Sequence, residues 1–246
     1  MSLLYTNKFS IRVGRKVEKN RRQIKVTTDG PYIVSGDIPL LDMIIQCDSK
    51  GTPAKWVKDK TFATTETYSL CRCGKSQNKP FCDSTHIKVD FDGTEVSDNQ
   101  PFNEMAKTID GPALRLKDGE ILCASARFCH RGGDIWDQIP QSNNPQVKNN
   151  CINNSFDCPS GRLVVVEKES GQTLEPILEK SIAVINDPGV VDDVAPLWVR
   201  SGIPIYSAEG KLYEVRNRVT LCRCGKSTNK PFCDSSHYPE EDREVK

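Results

Sequence analysis

Leu70–His86 reads LCRCGKSQNKPFCDSTH, and Leu221–His237 reads LCRCGKSTNKPFCDSSH. Fifteen of the seventeen positions agree; only Gln77/Thr228 and Thr85/Ser236 differ. Each block offers three cysteines and one histidine. They are Cys71, Cys73, Cys82 and His86 in the first, and Cys222, Cys224, Cys233 and His237 in the second. Such a donor set suits zinc or an iron–sulfur cluster. Structural zinc sites usually place two to four residues between their first two cysteines, whereas one residue separates them here. Two sulfurs so close can chelate one iron of a cluster while the third cysteine and the histidine hold the other. Spacing alone leaves both metals open and leans toward iron.

The whole chain has 246 residues, with eleven cysteines and three histidines. An odd cysteine count with no visible export signal argues against a disulfide scaffold. It favours thiolates held by metal in a reducing, cytoplasmic setting. Hydrophobic residues make up 37% of the chain, a thin supply for one large core. Several small units, each pinned by metal, fit better. Net charge is +1 with both signs interspersed, so no basic face for nucleic acid is expected. No apolar run approaches the roughly 20 residues of a membrane span, so no membrane partner is expected. Residues 1–23 are basic but lack the apolar stretch of a secretory signal, and read as a solvated segment.

The repeat extends beyond the cysteine blocks. Gly30–Leu41 (GPYIVSGDIPLL) resembles Ala195–Tyr206 (APLWVRSGIPIY), with Pro31 and Pro39 spaced as Pro196 and Pro204 are. β-Branched and aromatic residues between turn-formers read as strand, turn and second strand. The first copy then carries about 14 extra residues before its cysteines, read as a longer hairpin. A polar stretch, Asp92–Phe102, reads as a linker. The expected units are a first cysteine-block domain at 24–98, a different middle domain at 103–185, and a second cysteine-block domain at 186–246.

The two blocks resemble the CDGSH motif of mitoNEET-like iron–sulfur proteins. Ser76 and Ser227, Pro80 and Pro231, and Asp83 and Asp234 occupy that motif's defined positions. Ser84 and Ser235 depart from it, standing where the family usually has Gly. The resemblance implies that each block holds a [2Fe–2S] cluster through its three thiolates and one imidazole. Asp83, Asp234, Lys79 and Lys230 are expected around the clusters, with Arg72, Lys75, Arg223 and Lys226 adding positive charge. Both aspartates stand where a helix N-cap would go, and Ser84 is compatible with a first helical position. A histidine ligand is expected to raise the potential and to make the clusters labile in acid.

The middle domain carries Cys123, Cys129 and Cys158, the last followed by Pro159. Bacterial ferredoxins space their cysteines C-x2-C-x2-C with a distant C-P. Ala126 stands where the second cysteine would be. The segment resembles divergent single-cluster ferredoxin-like domains. That implies a [3Fe–4S] cluster on three thiolates, or a [4Fe–4S] cluster if Cys151 is a fourth ligand. His130 reads as a loop residue and Cys47 as a small core hydrophobe. A short helix is expected within Pro145–Asn154.

By resemblance, the fold expected is a small mainly-β, α+β iron–sulfur protein. Its two CDGSH-type β-cap units form an intramolecular pseudo-dimer, monomeric as a chain, with the ferredoxin-like unit inserted between them. No phosphate loop, Ser/His/Asp set or nucleotide fingerprint is present, so catalysis is not expected. Electron transfer with redox partner proteins is the first functional expectation. Cluster storage or transfer to apo-acceptors is the alternative, and a redox enzyme subunit is a third.

Overall fold

The computed structural model describes residues 22–188 and 194–239, so most of the basic segment at 1–23 lies outside the described residues. Five strands come first: β1 (Gln23–Val26), β2 (Tyr32–Ser35), β3 (Leu40–Cys47), β4 (Pro53–Phe62) and β5 (Thr67–Leu70). The first cysteine block leaves β5 and ends in a single helical turn, α1 (Thr85–Lys88). The middle of the chain begins with α2 (Phe102–Met105), β6 (Lys107–Asp110), β7 (Leu114–Asp118) and α3 (Ile135–Gln138). It continues with α4 (Pro145–Asp157), β8 (Leu163–Glu167) and β9 (Thr173–Leu174). Four strands close the chain: β10 (Ser181–Asn186), β11 (Leu197–Arg200), β12 (Ile205–Tyr206) and β13 (Arg218–Leu221). The second cysteine block leaves β13.

The duplicated strands exchange partners. One sheet runs β12-β1-β2-β5 and the other β13-β11-β10-β3-β4. β12 lies parallel to β1, with Ile24 opposite Ile205; β3 lies parallel to β10, with Leu40 opposite Ile182. Each half therefore lends its third strand to the other half's sheet, giving an intramolecular pseudo-two-fold pair. The extra residues of the first copy form the β3–β4 hairpin, as the spacing suggests. β10 is the counterpart of β1 and starts at Ser181. The second half therefore begins there rather than at residue 186, because the apolar Ser181–Asn186 run belongs to the sheet.

Strand alternation explains the core. Ile24, Val26, Tyr32 and Val34 meet Ile182, Val184, Leu197 and Val199 in one cluster shared by both halves. Their alternate neighbours face away. In the first half these are Gln23, Lys25 and Ser35, none of them buried. In the second half they include Ala183, Ile185 and Trp198, which pack with Ala126 and Phe128 of the middle unit. Trp56 stacks between Phe128 and Trp198, at 5.1 and 5.0 Å between ring centres. β10 is thus covered on both faces, which is why its sequence is nearly continuous in apolar residues.

The middle unit is an antiparallel sheet in the order β6-β7-β8-β9. Ile135 and Ile139, in and just after α3, and Cys151 of α4 pack on Leu114, Leu116, Leu163 and Val165. Asn144 caps α4 by accepting from the N–H groups of Gln146 and Val147, with Pro145 at the first helical position. No helix among the described residues is long and apolar enough to cross a membrane.

Candidate metal centres

Both cysteine blocks are folded by the same local bonds. Cys71 N donates to Pro80 O at 2.9 Å and Cys82 N to Ser69 O at 2.9 Å; Cys222 N and Cys233 N do the same to Pro231 O and Thr220 O, at 2.8 and 2.9 Å. Ser76 Oγ donates to Phe81 O at 2.7 Å and accepts from Asn78 N at 3.0 Å, and Ser227 repeats both bonds. Asp83 Oδ2 accepts from Gln77 N at 2.8 Å and Oδ1 from Thr85 N at 3.0 Å. Asp234 repeats this with Thr228 and Ser236, at 2.7 and 3.0 Å. Bonds from Thr85 and Gln77 hold the Asp83 carboxyl well below the usual carboxylate range. Each aspartate therefore staples the two arms of its loop together.

Two sequence expectations change here. The aspartates do not cap a helix: α1 is one turn long, and its cap position is Ser84. Ser84 is not a first helical residue either. Ser84 and Ser235 sit at φ 67° and 71°, in the left-handed region. Glycine adopts that region without steric cost, which accounts for the usual Gly at this position.

The donors come in pairs. Cys71 Sγ and Cys73 Sγ lie 3.7 Å apart, and so do those of Cys222 and Cys224. Cys82 Sγ lies 3.4 Å from His86 Nδ1, and Cys233 Sγ 3.5 Å from His237 Nδ1. Two sulfurs each about 2.3 Å from a tetrahedral metal are roughly 3.8 Å apart, so each pair suits one metal. Among the described residues, no three His, Cys, Asp or Glu side chains converge on a single ion. Two pairs side by side suit two irons, one with two thiolates and one with a thiolate and an imidazole.

The surroundings favour that use. Burial lowers the His237 pKa to about 4, keeping the imidazole in its neutral, ligating form. Burial also pushes the Cys82 and Cys233 thiols up, so a bound cation is needed to hold thiolates there. The N–H groups of Ser84 and Lys226 point at Cys82 Sγ and Cys224 Sγ, both at 3.4 Å. Arg72 is buried and donates to the carbonyls of Thr27, Gly30 and Gly93 rather than standing in solvent. Lys75 and Lys79 are exposed, whereas the Lys230 carbonyl accepts from Val96 N and Ser97 N of the linker. Tyr32, from the first half, donates to the carbonyls of Cys222 and Pro231 at 2.7 and 3.0 Å.

In the middle unit, Cys123, Cys129 and Cys158 line one cavity together with His130, Trp136 and Arg162. Arg162 is fixed by Asp118, at 2.6 and 3.0 Å, and lies beside the Cys123 thiol. Cys151 is not on this wall. It is fully buried in the core between α4 and the sheet, and burial raises its thiol to about 11. It packs in the cluster with Leu163 and Val165, and Cys129 and Cys158, which do line the cavity, pack against that same cluster. His130 is more than a loop residue: it lines the cavity, and its Nδ1 lies 2.6 Å from Asp134 Oδ1. Cys47 is partly buried and packs against the cluster that holds Met43, Ile45 and Phe128, as its strand pattern suggests.

Comparison with known proteins fits these three places. Residues 29–87 and 195–238 match the family model of the iron-binding zinc finger of CDGSH type, and residues 109–168 match that of the divergent 4Fe–4S mono-cluster. The chain is an iron–sulfur protein. Two CDGSH-type segments flank a divergent single-cluster ferredoxin-like one. No curated protein and no solved structure matches it.

Proposed function

We propose that the protein carries two [2Fe–2S] clusters and one [4Fe–4S] or [3Fe–4S] cluster, and that it acts in electron transfer. Cys71, Cys73, Cys82 and His86 hold the first cluster; Cys222, Cys224, Cys233 and His237 hold the second. Cys123, Cys129 and Cys158 hold the third. The observation that carries this reading is the pairing of donors within each CDGSH block, thiol with thiol and thiol with imidazole. Bound clusters supply one-electron chemistry. The chain's own part is positional. Ser76, Asp83 and their counterparts set the loops, and a histidine completes each donor set.

Reversible reduction of the purified protein without loss of iron supports a carrier of electrons. Transfer of iron and sulfide to an apo-ferredoxin supports the second reading, a carrier of clusters. One observation favours that second reading: Cys82 and His86 are only half-buried. The partner is then another protein in either case, a redox protein or an apo-acceptor.

A further inference from the structure

The two CDGSH blocks are nearly identical in sequence, yet their surroundings differ. Cys82 and His86 are half-buried and Ser84 is exposed. Their counterparts Cys233, His237 and Ser235 are 2%, 6% and 5% exposed. The residue after the histidine also differs: Ile87 is 74% exposed, and Tyr238 is 7% exposed.

The cover comes from the middle unit. The loop after Cys123 turns sharply at Ser125 and Arg127, at φ 50° and 60°. This brings it against the second block. Ser235 Oγ donates to Cys123 O at 2.9 Å and lies 2.7 Å from Ser125 Oγ. Arg127 forks onto Asp187 at 2.9 and 2.8 Å and also donates to the Tyr238 hydroxyl. Tyr238 in turn donates to Asp187 Oδ2 at 2.6 Å. The Tyr238 ring lies 4.9 Å from the His237 ring, so this network closes directly over the histidine. Charged bidentate pairs in a half-buried setting are among the strongest polar contacts a protein makes. Among the described residues, nothing comparable forms over the first block. Ile87 has no hydroxyl, and the outward face of its sheet carries Gln23 and Lys25 where the second sheet carries Ser181 and Ala183.

We infer that the two CDGSH sites are unequal by construction: the middle unit seals the second with Arg127, Asp187 and Tyr238, while the first is the site open to exchange with a partner. This rests on the reading that both blocks hold clusters. The seal makes the second site a retained one, out of reach of a hydrophilic chelator or a protein surface. The first site alone offers its histidine and third cysteine to an acceptor's ligands. The serine in the glycine slot has a use only in the second block, where its hydroxyl ties the block to the middle unit.

The test is a challenge of the purified, metal-loaded protein with excess EDTA at one neutral pH. Visible absorbance and released iron are followed, with amide hydrogen–deuterium exchange measured on the same sample. Iron and sulfide counted beforehand decide the cluster reading separately. The exchange arm reads the seal whatever the metal content. Two-phase loss is expected, with one [2Fe–2S] leaving roughly tenfold or more faster than the other. Amides of 235–238 should exchange correspondingly more slowly than those of 84–87. Tyr238→Ile, which copies the first block, should bring the slow phase toward the fast one, and Arg127→Gln should do the same. Single-phase loss with equal exchange in the two blocks would overturn the inference, as would a slow phase untouched by both variants.

Discussion

Gly74 lies against the backbone of Cys224: a Cβ built on Gly74 would stand 2.7 Å from the Cys224 carbonyl oxygen. The relationship is reciprocal, since a Cβ on Gly225 would stand 2.9 Å from the Cys73 carbonyl oxygen. The two cysteine loops thus meet back to back across the pseudo-two-fold, and neither glycine can take a side chain without moving the other loop. Both are also left-handed, at φ 75° and 79°. Gly74→Ala should therefore cost about 2–4 kcal/mol, combining left-handed strain with a backbone clash. Gly51 is equally left-handed but has open space around its Cα. Gly51→Ala should cost only the strain, about 1–2 kcal/mol. Denaturant midpoints of the two variants check this, and equal costs would mean that the loops are not in contact.

Tyr32 crosses from the first half to support the second block. Its buried hydroxyl bonds two carbonyls, and burial raises its pKa well above the ordinary phenol. Tyr32→Phe leaves those carbonyls without this donor and should cost about 1–3 kcal/mol. Leu197 holds the matching position in the second half, so no equivalent bond supports the first block. Iron retention measured on the variant should therefore fall at the second site while the first is unchanged.

Ser84 and Ser235 share a strained backbone but not a partner. Ser84→Gly relieves left-handed strain while adding unfolded-state entropy, so its net effect should stay within about 1 kcal/mol of zero. Ser235→Gly gains the same relief but loses the bonds to Cys123 and Ser125. It should lower stability by about 1 kcal/mol relative to Ser84→Gly. A thermal melt of each variant decides between this ordering and its reverse.

Cys151 gives a prediction in alkali. Its folded thiol is raised to about 11, above the ordinary thiol value of 9.0. Between those values the folded protein keeps a proton that the unfolded chain gives up. This contribution is therefore fully present below pH 9 and is lost as pH rises toward 11. From pH 8 to 10 it should amount to about 1 kcal/mol. Cys151→Ala should remove that slope in denaturant titrations and leave the iron content of the middle site unchanged. Loss of iron from that site would make Cys151 a ligand after all.

Much of this was legible in the sequence, because local chemistry wrote it. Cys71 to His86 and its copy are short loops whose bonds close within the motif, so spacing and resemblance were enough. The resemblance implied a pseudo-dimer, but which strands exchange was not legible. Leu40 pairs with Ile182 across 142 positions, and alternation alone cannot say which sheet edge a strand will join. The left-handed turn at Ser84 was hidden by its serine, though the usual glycine there was the available signal. The asymmetry was present in outline: Lys25 and Ser35 face outward in one half, Ala183 and Trp198 in the other. Their meaning depends on where the middle unit docks, and that rests on Arg127, Asp187 and Tyr238 meeting from three separate segments. Cys151 stays open as a fourth ligand in the sequence, because cysteine spacing does not say which way α4 turns it.

The most direct measurement is iron, acid-labile sulfide and zinc per chain, with electron paramagnetic resonance of the reduced protein. Two [2Fe–2S] clusters and one larger cluster correspond to about seven or eight irons, with sulfide in near-equal amount and [2Fe–2S] resonances on reduction. A colourless protein holding zinc, without sulfide and without those resonances, would contradict the assignment of all three sites.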